Sequence, residues 1–256
     1  MLPKQKEKPF FLYLGYNAPH FPIQPPKEWE EKVLARENGI DPKRAANVAF
    51  VEHLDHEIGR VVDSIKELGL EKDTIVIFSS DNGGSIPHAQ LNLPMRGGKQ
   101  DHWEGGIRVP TCVVWPGKIK AGVRSNTPGM TMDFLPTLCE LAGVPVEQEI
   151  DGVSLVPEWL EGKDKNPDRT MIWVRREGGK HQGRAYYAIR KGPWKLLQNT
   201  PFEPMVLVNI DEDPYEKNPM PAKGKAADQL KNQLMKHIQE AGKIPWQNGA
   251  DAEKEK

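Results

Sequence analysis

The side chains that can do chemistry in this sequence lie in three separate stretches. Asp81 and Asn82 place a carboxylate beside an amide oxygen, and such oxygen ligands favour Ca²⁺ or Mg²⁺ over softer metals. His20 lies between a proline and a phenylalanine, where an imidazole can donate a proton to a leaving group. Lys99 follows two glycines that shield it little, so it can bind a sulfate or phosphate oxygen. The set suits a hard metal ion and an anionic substrate.

Each of these residues also has a purely structural interpretation. Asp-Asn-Gly-Gly at 81–84 is a common turn sequence. Two oxygen ligands are fewer than the about six to eight that Ca²⁺ takes. A single histidine such as His20 is often a structural side chain, and most lysines are solvated. The chemical interpretation therefore requires that these residues lie near one another.

The surrounding elements predict an α/β fold. Residues 8–15, 73–80 and 108–115 are apolar runs of strand length, which is typical of strands buried on both faces. Apolar side chains recur at helical spacing from about Pro42 to Leu68, and Gly69 ends this long helix. A helix between buried strands indicates a largely parallel sheet. A second helix is predicted over 131–142, with Pro136 tolerable in its first turn.

The reactive side chains follow the predicted strands. His20 comes after the first strand and Asp81 after the second, while Lys99 lies in the long loop that follows. Ligands of open α/β sheets bind beyond the carboxyl ends of the strands. Loops as long as 85–106 inside a compact domain are usually functional. We therefore expect His20, Asp81, Asn82 and Lys99 to converge on one crevice.

The sequence changes character after residue 162. A polar linker at 163–169 precedes short strand-like pieces at 170–175, 185–190, 194–197 and 205–209, and an amphipathic helix from about 226 to 241. This order is typical of a small antiparallel subdomain. We therefore divide the chain into part of an α/β catalytic domain at 1–162, a small α+β subdomain at 163–247 and a disordered tail at 248–256.

Composition excludes several classes of function. The net charge is -1 without a basic block, which argues against a nucleic-acid partner. No apolar run approaches the about 20 residues that span a bilayer, so no membrane association is expected. The N-terminus lacks the apolar core of a signal peptide, so no export signal is predicted in the chain as given. The two cysteines, Cys112 and Cys139, lie in apolar stretches and are expected to be buried hydrophobic side chains.

Several segments together resemble the type I sulfatases of the alkaline-phosphatase superfamily. In the order that the family has them, they are Lys8–Pro22, Leu54–Gly69, Thr74–Gly84, Gly97–Pro110, Met132–Gly143, Asp151–Leu155, Ile189–Leu197 and Leu207–Asn218. The resemblance runs from about residue 8 to 241. It implies an incomplete α/β alkaline-phosphatase-like sandwich, with a largely parallel or mixed central sheet flanked by helices. A small C-terminal subdomain of antiparallel sheet and helix completes the implied fold.

The resemblance also implies a role for each candidate residue. Asp81 and Asn82 match the late pair of calcium ligands, and Lys99 matches the lysine that binds the sulfate. His20 matches the histidine beside the ester, which contacts or protonates the leaving oxygen. The implied reaction is the hydrolysis of sulfate esters, in sulfated carbohydrates or aryl sulfates, with Ca²⁺ and a formylglycine nucleophile.

One family feature has no counterpart in the sequence. The family makes its formylglycine from Cys or Ser in a Cys/Ser-x-Pro/Ala-x-Arg motif, upstream of these segments, and neither Cys112 nor Cys139 fits it. We therefore expect the N-terminal half of the family domain to be missing and the isolated chain to be inactive. An unpaired sheet edge should then favour self-association or pairing with the missing fragment. The resemblance implies a periplasmic or secreted parent enzyme.

Two other functions are compatible with the same residues. A phosphatase, phosphodiesterase or phosphonate hydrolase of the same superfamily would bind two transition metals with more histidine and aspartate ligands. A non-catalytic module would recognise sulfated glycans through His20, Arg96 and Lys99. The sequence does not define the substrate. The side chains that could contact its leaving group are those of His88, His102, Trp103, His181 and Arg184.

Overall fold

The structure, a computed structural model, describes residues 8–176 and 185–242. These residues form two compact units. The first unit contains residues 8–91 and 109–165, and the second contains residues 92–108, 166–176 and 185–242. Lys99 therefore belongs to the second unit, with the C-terminal segment, whereas His20 and Asp81 belong to the first. Within the described ranges, no helix is both long and apolar enough to cross a bilayer.

Two helices form the core of the first unit. Helix α1 (Lys27–Arg36) was not predicted, whereas α2 (Pro42–Glu67) confirms the predicted helix. Asp41 caps α2 by accepting a hydrogen bond from the backbone nitrogen of Arg44 at 3.0 Å, which satisfies a donor of the first turn. The buried residues between the helices are Val33, Ala45 and Ala49, packed against Trp29, Ile40 and Val48.

Strands β1 (Val76–Ser79) and β2 (Thr111–Val114) lie where strands were predicted, but they pair antiparallel, with Val76 opposite Val114. The expectation of a parallel arrangement is wrong for this pair. The expectation of full burial is also wrong, because Phe78 and Val114 are exposed. Cys112 in β2 is an exposed free thiol rather than a buried side chain, and Cys139 is half-buried.

The apolar segment at residues 8–15 does not form the predicted strand. It has no strand assignment, and Phe11 and Tyr13 are 80% and 82% exposed. A strand requires a neighbour for its backbone groups, and no strand of the described ranges pairs with this segment. The sequence therefore predicts its apolar character correctly, but the partner that would make it a buried strand is not among the described residues.

The remainder of the first unit is built around a buried carboxylate. A short 3₁₀ turn (Thr131–Asp133) leads into α4 (Phe134–Ala142), which carries Pro136 in its first turn as predicted. Asp133 accepts hydrogen bonds from the backbone nitrogens of Met130 (2.7 Å) and Val153 (3.0 Å). These bonds tie the segment that precedes α5 (Val156–Glu161) to the start of α4.

The second unit contains an antiparallel five-stranded meander whose two faces are each covered by other residues of the unit. Its strands, in spatial order, are β3 (Thr170–Arg176), β4 (Ala185–Lys191), β5 (Trp194–Gln198), β6 (Val206–Asn209) and the unpredicted β7 (Met220–Pro221). Helix α6 (Lys225–Ala241) covers one face through Leu230 and Leu234. Trp103, from the 92–108 loop with its short helix α3 (Glu104–Ile107), covers the other. The predicted antiparallel sheet and C-terminal helix are confirmed, and the unit that contains them also includes residues 92–108. The predicted tail at 248–256 lies outside the described residues.

Candidate functional site

His20 lies at the surface of the first unit in a turn. Its backbone nitrogen donates to the carbonyl of Asn17 at 2.8 Å, and its Nδ1 lies 2.6 Å from the carbonyl oxygen of Phe21. Because a carbonyl oxygen can only accept, this contact requires the proton on Nδ1. The contact fixes the ring and leaves Nε2 as the nitrogen for acid–base chemistry.

Asp81 and Asn82 follow directly after β1, as the sequence predicted. The Asn82 amide nitrogen donates to the Gly83 carbonyl at 2.8 Å, and the Ser80 hydroxyl donates to the Asn82 carbonyl at 3.0 Å. These bonds hold the turn and use the nitrogen rather than the oxygen of the Asn82 amide. The exposed Asp81 carboxylate and this amide oxygen are the kind of ligand that a hard cation such as Ca²⁺ prefers. They do not suffice in number, because no cluster of three or more His, Cys, Asp or Glu occurs within the described ranges.

Gln90 connects the loop after Asp81 to the loop of His20. Its side-chain oxygen accepts from the backbone nitrogen of Ser85 at 2.6 Å, and its side-chain nitrogen donates to the carbonyl of Pro19 at 2.8 Å. The rings of Phe21 and His88 stack beside this bridge, with centroids 4.8 Å apart. The structure therefore brings together the two loops of the first unit that carry predicted site residues. Nothing in the sequence pattern singled out Gln90.

Two side chains of helix α2 bind the loop that follows Asn82. The buried Asn47 donates to the carbonyl of His88 at 2.6 Å, and Arg44 donates to the carbonyl of Ala89 at 3.3 Å. Both residues lie on the first turns of the helix. The long predicted helix thus has a positioning function, because it holds the loop that Gln90 joins to Pro19.

Lys99 is half-buried in a compact loop of the second unit. Gly97 has a φ of +77°, and a Cβ there would collide with the side chains of Asp101 and Trp103. The backbone nitrogen of Gly98 donates to the Asp101 carboxylate at 2.8 Å. The glycines before Lys99 therefore allow a tight turn, in addition to leaving the lysine little shielded.

A buried group of three charges lies beneath this loop. The Lys195 side chain is 0% exposed, and its ammonium lies 2.8 Å from Glu104 Oε1 and 2.8 Å from Glu216 Oε1. The second oxygen of Glu216 accepts a hydrogen bond of 2.5 Å from the backbone nitrogen of Glu104. Burial is the main cause that raises the pKa of Glu216, against the lowering effect of Lys195. Nothing in the sequence pattern assigned a role to Glu104, Lys195 or Glu216.

Several residues expected to contact a substrate have other roles. His102 and Trp103 are buried in the second unit, which argues against substrate contact. The Arg96 guanidinium stacks on Trp103 at 3.8 Å and donates to the Glu216 carbonyl at 3.3 Å. His88 is engaged with Phe21. His181 and Arg184 lie outside the described residues.

The pKa of His102 is lowered from 6.5 to about 4, mainly by burial and next by the charge of Lys195. The unfolded chain takes up this proton near 6.5, whereas the folded chain takes it up only near 4. The unfolded state thus binds more protons between these values, so acidification destabilises the fold. The stabilisation is complete above 6.5 and is lost as the pH falls toward 4.

We expect this group to account for roughly 3 kcal/mol of pH-dependent stability. The measurement is urea unfolding of the wild type and of His102→Gln at several pH values between neutral and 4. The variant should lose less stability on acidification, because glutamine does not titrate. Equal pH profiles would show that His102 is protonated at its ordinary pKa. The raised pKa of Glu216 acts in the opposite direction in both proteins and cancels in the comparison.

The chain matches two sequence families. The family described as Sulfatase matches residues 1–144, and the family described as N-sulphoglucosamine sulphohydrolase, C-terminal, matches residues 98–243. The matches overlap over the loop that carries Lys99. Together they include all four predicted site residues.

Curated relatives are sulfatases. The chain is 30% identical over 280 residues to human steryl-sulfatase, with 93% of this chain and 45% of that protein covered. It is 32% identical over 196 residues to N-acetylgalactosamine-6-sulfatase of Mus musculus, with 74% and 34% covered. The chain thus spans less than half the length of these two relatives.

Solved structures confirm the predicted fold class. The crystal structure of Ps i-CgsB matches with a TM-score of 0.77 and 32% identity, over 93% of this chain and 50% of that one. The phosphonate monoester hydrolase of Agrobacterium radiobacter matches with a TM-score of 0.57 and 23% identity, over 78% and 41%, which shows the shared fold alone. The α/β alkaline-phosphatase-like architecture is therefore confirmed, although the strands of the described ranges pair antiparallel. The chain belongs to the sulfatase family.

Proposed function

We propose that this chain supplies half of an active site that hydrolyses sulfate esters with the help of Ca²⁺. One observation carries the proposal. In a chain of the sulfatase family, Gln90 binds the His20 loop to the loop that follows Asp81 and Asn82, so a proton donor and oxygen ligands belong to one local structure. Lys99, in the second unit, is the proposed anion-binding group.

The chemistry assigns each side chain one task. Sulfate-ester cleavage needs a nucleophile at sulfur, positive charge at the non-bridging oxygens and a proton for the leaving oxygen. The ammonium of Lys99 supplies positive charge. The imidazole of His20, protonated at Nε2, gives its proton to the leaving oxygen. Asp81 and Asn82 would hold the Ca²⁺, which when bound polarises the sulfate oxygens. Because they provide two ligands, we propose that calcium binds the isolated chain weakly.

The nucleophile is not among the 256 residues, because no Cys/Ser-x-Pro/Ala-x-Arg motif occurs in them. We propose that a formylglycine and the other calcium ligands come from a further stretch of polypeptide, and that the isolated chain is inactive. The relative lengths support this proposal, since the chain covers 50% of Ps i-CgsB.

We propose a sulfated carbohydrate as the substrate class. Ps i-CgsB has been solved in complex with k-i-k-neocarrahexaose at 32% identity to this chain. Another relative, 26% identical with a TM-score of 0.61 over 78% of this chain and 40% of that one, has been solved with its substrate D-glucosamine-2-N,6-O-disulfate. These complexes support carbohydrate over aryl sulfate.

Binding of a sulfated oligosaccharide tests the proposed function in the isolated chain. Calorimetry should detect a carrageenan oligosaccharide and should not detect its desulfated form, because Lys99 recognises the sulfate. Lys99→Ala should weaken binding by about tenfold or more, as expected for one charge-assisted contact. Lys223→Ala, which removes an exposed lysine of the second unit, is the matched control. Equal binding of the sulfated and desulfated sugars would contradict the proposal.

The two alternative functions predict different results. A phosphonate or phosphodiester hydrolase would prefer phosphonate esters and would bind two transition metals, for which the described ranges hold no cluster of three ligands. A non-catalytic glycan module would also bind the sulfated sugar. It would remain without turnover in a polypeptide that contains the nucleophile, whereas a sulfatase half-site would become active.

The exposed apolar segment predicts association of the isolated chain. Residues 8–15 present Phe11, Tyr13 and neighbouring apolar side chains to solvent, in a segment that has no strand assignment. Such surfaces promote pairing with another chain. Light scattering at rising concentration should therefore show dimers or larger species. Phe11→Glu with Tyr13→Glu should reduce them. A monomer at high concentration in the unsubstituted chain would contradict this prediction.

A further inference from the structure

The backbone on both sides of Lys99 is held in an unusual conformation. Gly98 donates its backbone nitrogen to the Asp101 carboxylate at 2.8 Å. Gln100 has a φ of +83°, which a residue with a side chain rarely adopts. Such conformations persist where surrounding contacts enforce them, and they concentrate at functional sites. In this loop, such contacts come from Asn199 and Arg175.

Asn199, the residue after β5, makes two of these contacts. Its side-chain nitrogen donates to the second oxygen of Asp101 at 2.8 Å, and its side-chain oxygen accepts from the backbone nitrogen of His102 at 2.7 Å. Arg175 of β3 adds a third by donating to the carbonyl of Gln100 at 2.8 Å. The amide of Asn199 therefore fixes Asp101 in the position from which it binds Gly98.

Lys195 fixes the other end of the loop. Its ammonium lies against Glu104, and Glu216 binds both that ammonium and the Glu104 backbone. Gly105 and Gly106 come directly after Glu104. A Cβ on either of them would collide with carbonyl groups of residues 96–101, so neither position has room for a side chain. The loop therefore folds closely on itself and is attached to the sheet through charged and polar groups of fixed geometry.

We propose that Asn199 and Lys195 are positioning residues for Lys99, so that the C-terminal sheet sets where the ammonium is presented to the sulfate. Gly97 and Gly98 give this segment high conformational freedom when it is not held. A hydrophobic contact such as that of Trp103 is non-directional, whereas the hydrogen bonds of Asn199 and Lys195 restrain both distance and angle. The role assigned to the ammonium rests on the proposed function, but the restraint of the loop does not.

Hydrogen exchange and sulfate binding test the proposal with Asn199→Ala. The matched control is Asn209→Ala, in the same sheet, which loses a local bond to the backbone nitrogen of Asp211 at 3.1 Å and lies on a different turn. We expect exchange at backbone amides of residues 98–104 to accelerate by about tenfold in Asn199→Ala and to stay unchanged in the control. Melting temperatures of the two variants should be similar.

Inorganic sulfate, titrated by NMR, provides the functional measurement. Its affinity should fall in Asn199→Ala, although Lys99 is intact, and should be unchanged in Asn209→Ala. Unchanged exchange in Asn199→Ala, or a loss of sulfate affinity confined to Lys99→Ala, would overturn the positioning role. If Lys99→Ala itself leaves sulfate binding unchanged, the proposed function loses its anion-binding group, while the exchange result still decides whether Asn199 restrains the loop.

Discussion

The purified 256-residue chain is expected to hydrolyse para-nitrophenyl sulfate no faster than buffer does. The sequence contains no Cys/Ser-x-Pro/Ala-x-Arg motif, so no formylglycine can form in it. The roles proposed for His20 and Lys99 are proton donation and sulfate binding, and neither role forms a covalent bond to sulfur. Removal of a nucleophile typically costs about six orders of magnitude in turnover. The expected deficit against a complete sulfatase is at least of that order.

The measurement is steady-state turnover at high enzyme concentration, with and without added Ca²⁺. A complete sulfatase serves as the positive control, and heat-denatured chain serves as the blank. Turnover above the blank that disappears in Lys99→Ala would contradict the prediction, because it would show that the 256 residues contain their own nucleophile. Turnover unaffected by Lys99→Ala would instead indicate a contaminating enzyme.

Replacing Lys195 by methionine should destabilise the second unit by roughly 3–5 kcal/mol. The substitution removes a fully buried ammonium and leaves the carboxylates of Glu104 and Glu216 beside each other without their counter-charge. Burial already raises the pKa of Glu216, and loss of the ammonium should raise it further. The penalty should therefore shrink as the pH falls and the carboxylates become neutral.

Chemical unfolding followed by circular dichroism measures this effect. Lys191→Met is the matched control, because Lys191 is exposed at the end of a neighbouring strand and should change stability by about 0.5 kcal/mol or less. Adding Glu216→Gln to Lys195→Met should restore part of the loss by removing one charge. Equal stability of Lys195→Met and Lys191→Met would show that the three buried charges do not stabilise this unit.

Local patterns in the sequence predicted most of the elements. The helical spacing of apolar residues from about Pro42 to Leu68 predicted α2, and the series of short strand-like pieces predicted the meander of the second unit. The prediction of a strand at residues 8–15 was wrong for a physical reason. Apolar character reports what a segment needs to bury, whereas a strand also needs a paired neighbour, and no strand of the described ranges provides one.

The sequence predicted the candidate site only in part. Side-chain chemistry singled out His20, Asp81, Asn82 and Lys99, because each can act on an anionic ester. It did not find the residues that hold them. Gln90 and Asn199 are ordinary amides in the sequence, and their roles arise from hydrogen bonds between residues as far apart as Pro19 and Gln90 or Asp101 and Asn199. Such partnerships have no local signature.

The central claim of the proposed function is that the oxygen ligands of Asp81 and Asn82 and the imidazole of His20 belong to one site of the first unit. Mn²⁺ replaces Ca²⁺ at oxygen sites and broadens NMR signals of nearby nuclei even when it binds weakly. Titrated into the chain, it should broaden the signals of Asp81 and Asn82 together with those of His20, and Asp81→Ala should abolish all three effects. Broadening at 81–82 that leaves His20 unaffected would contradict the account.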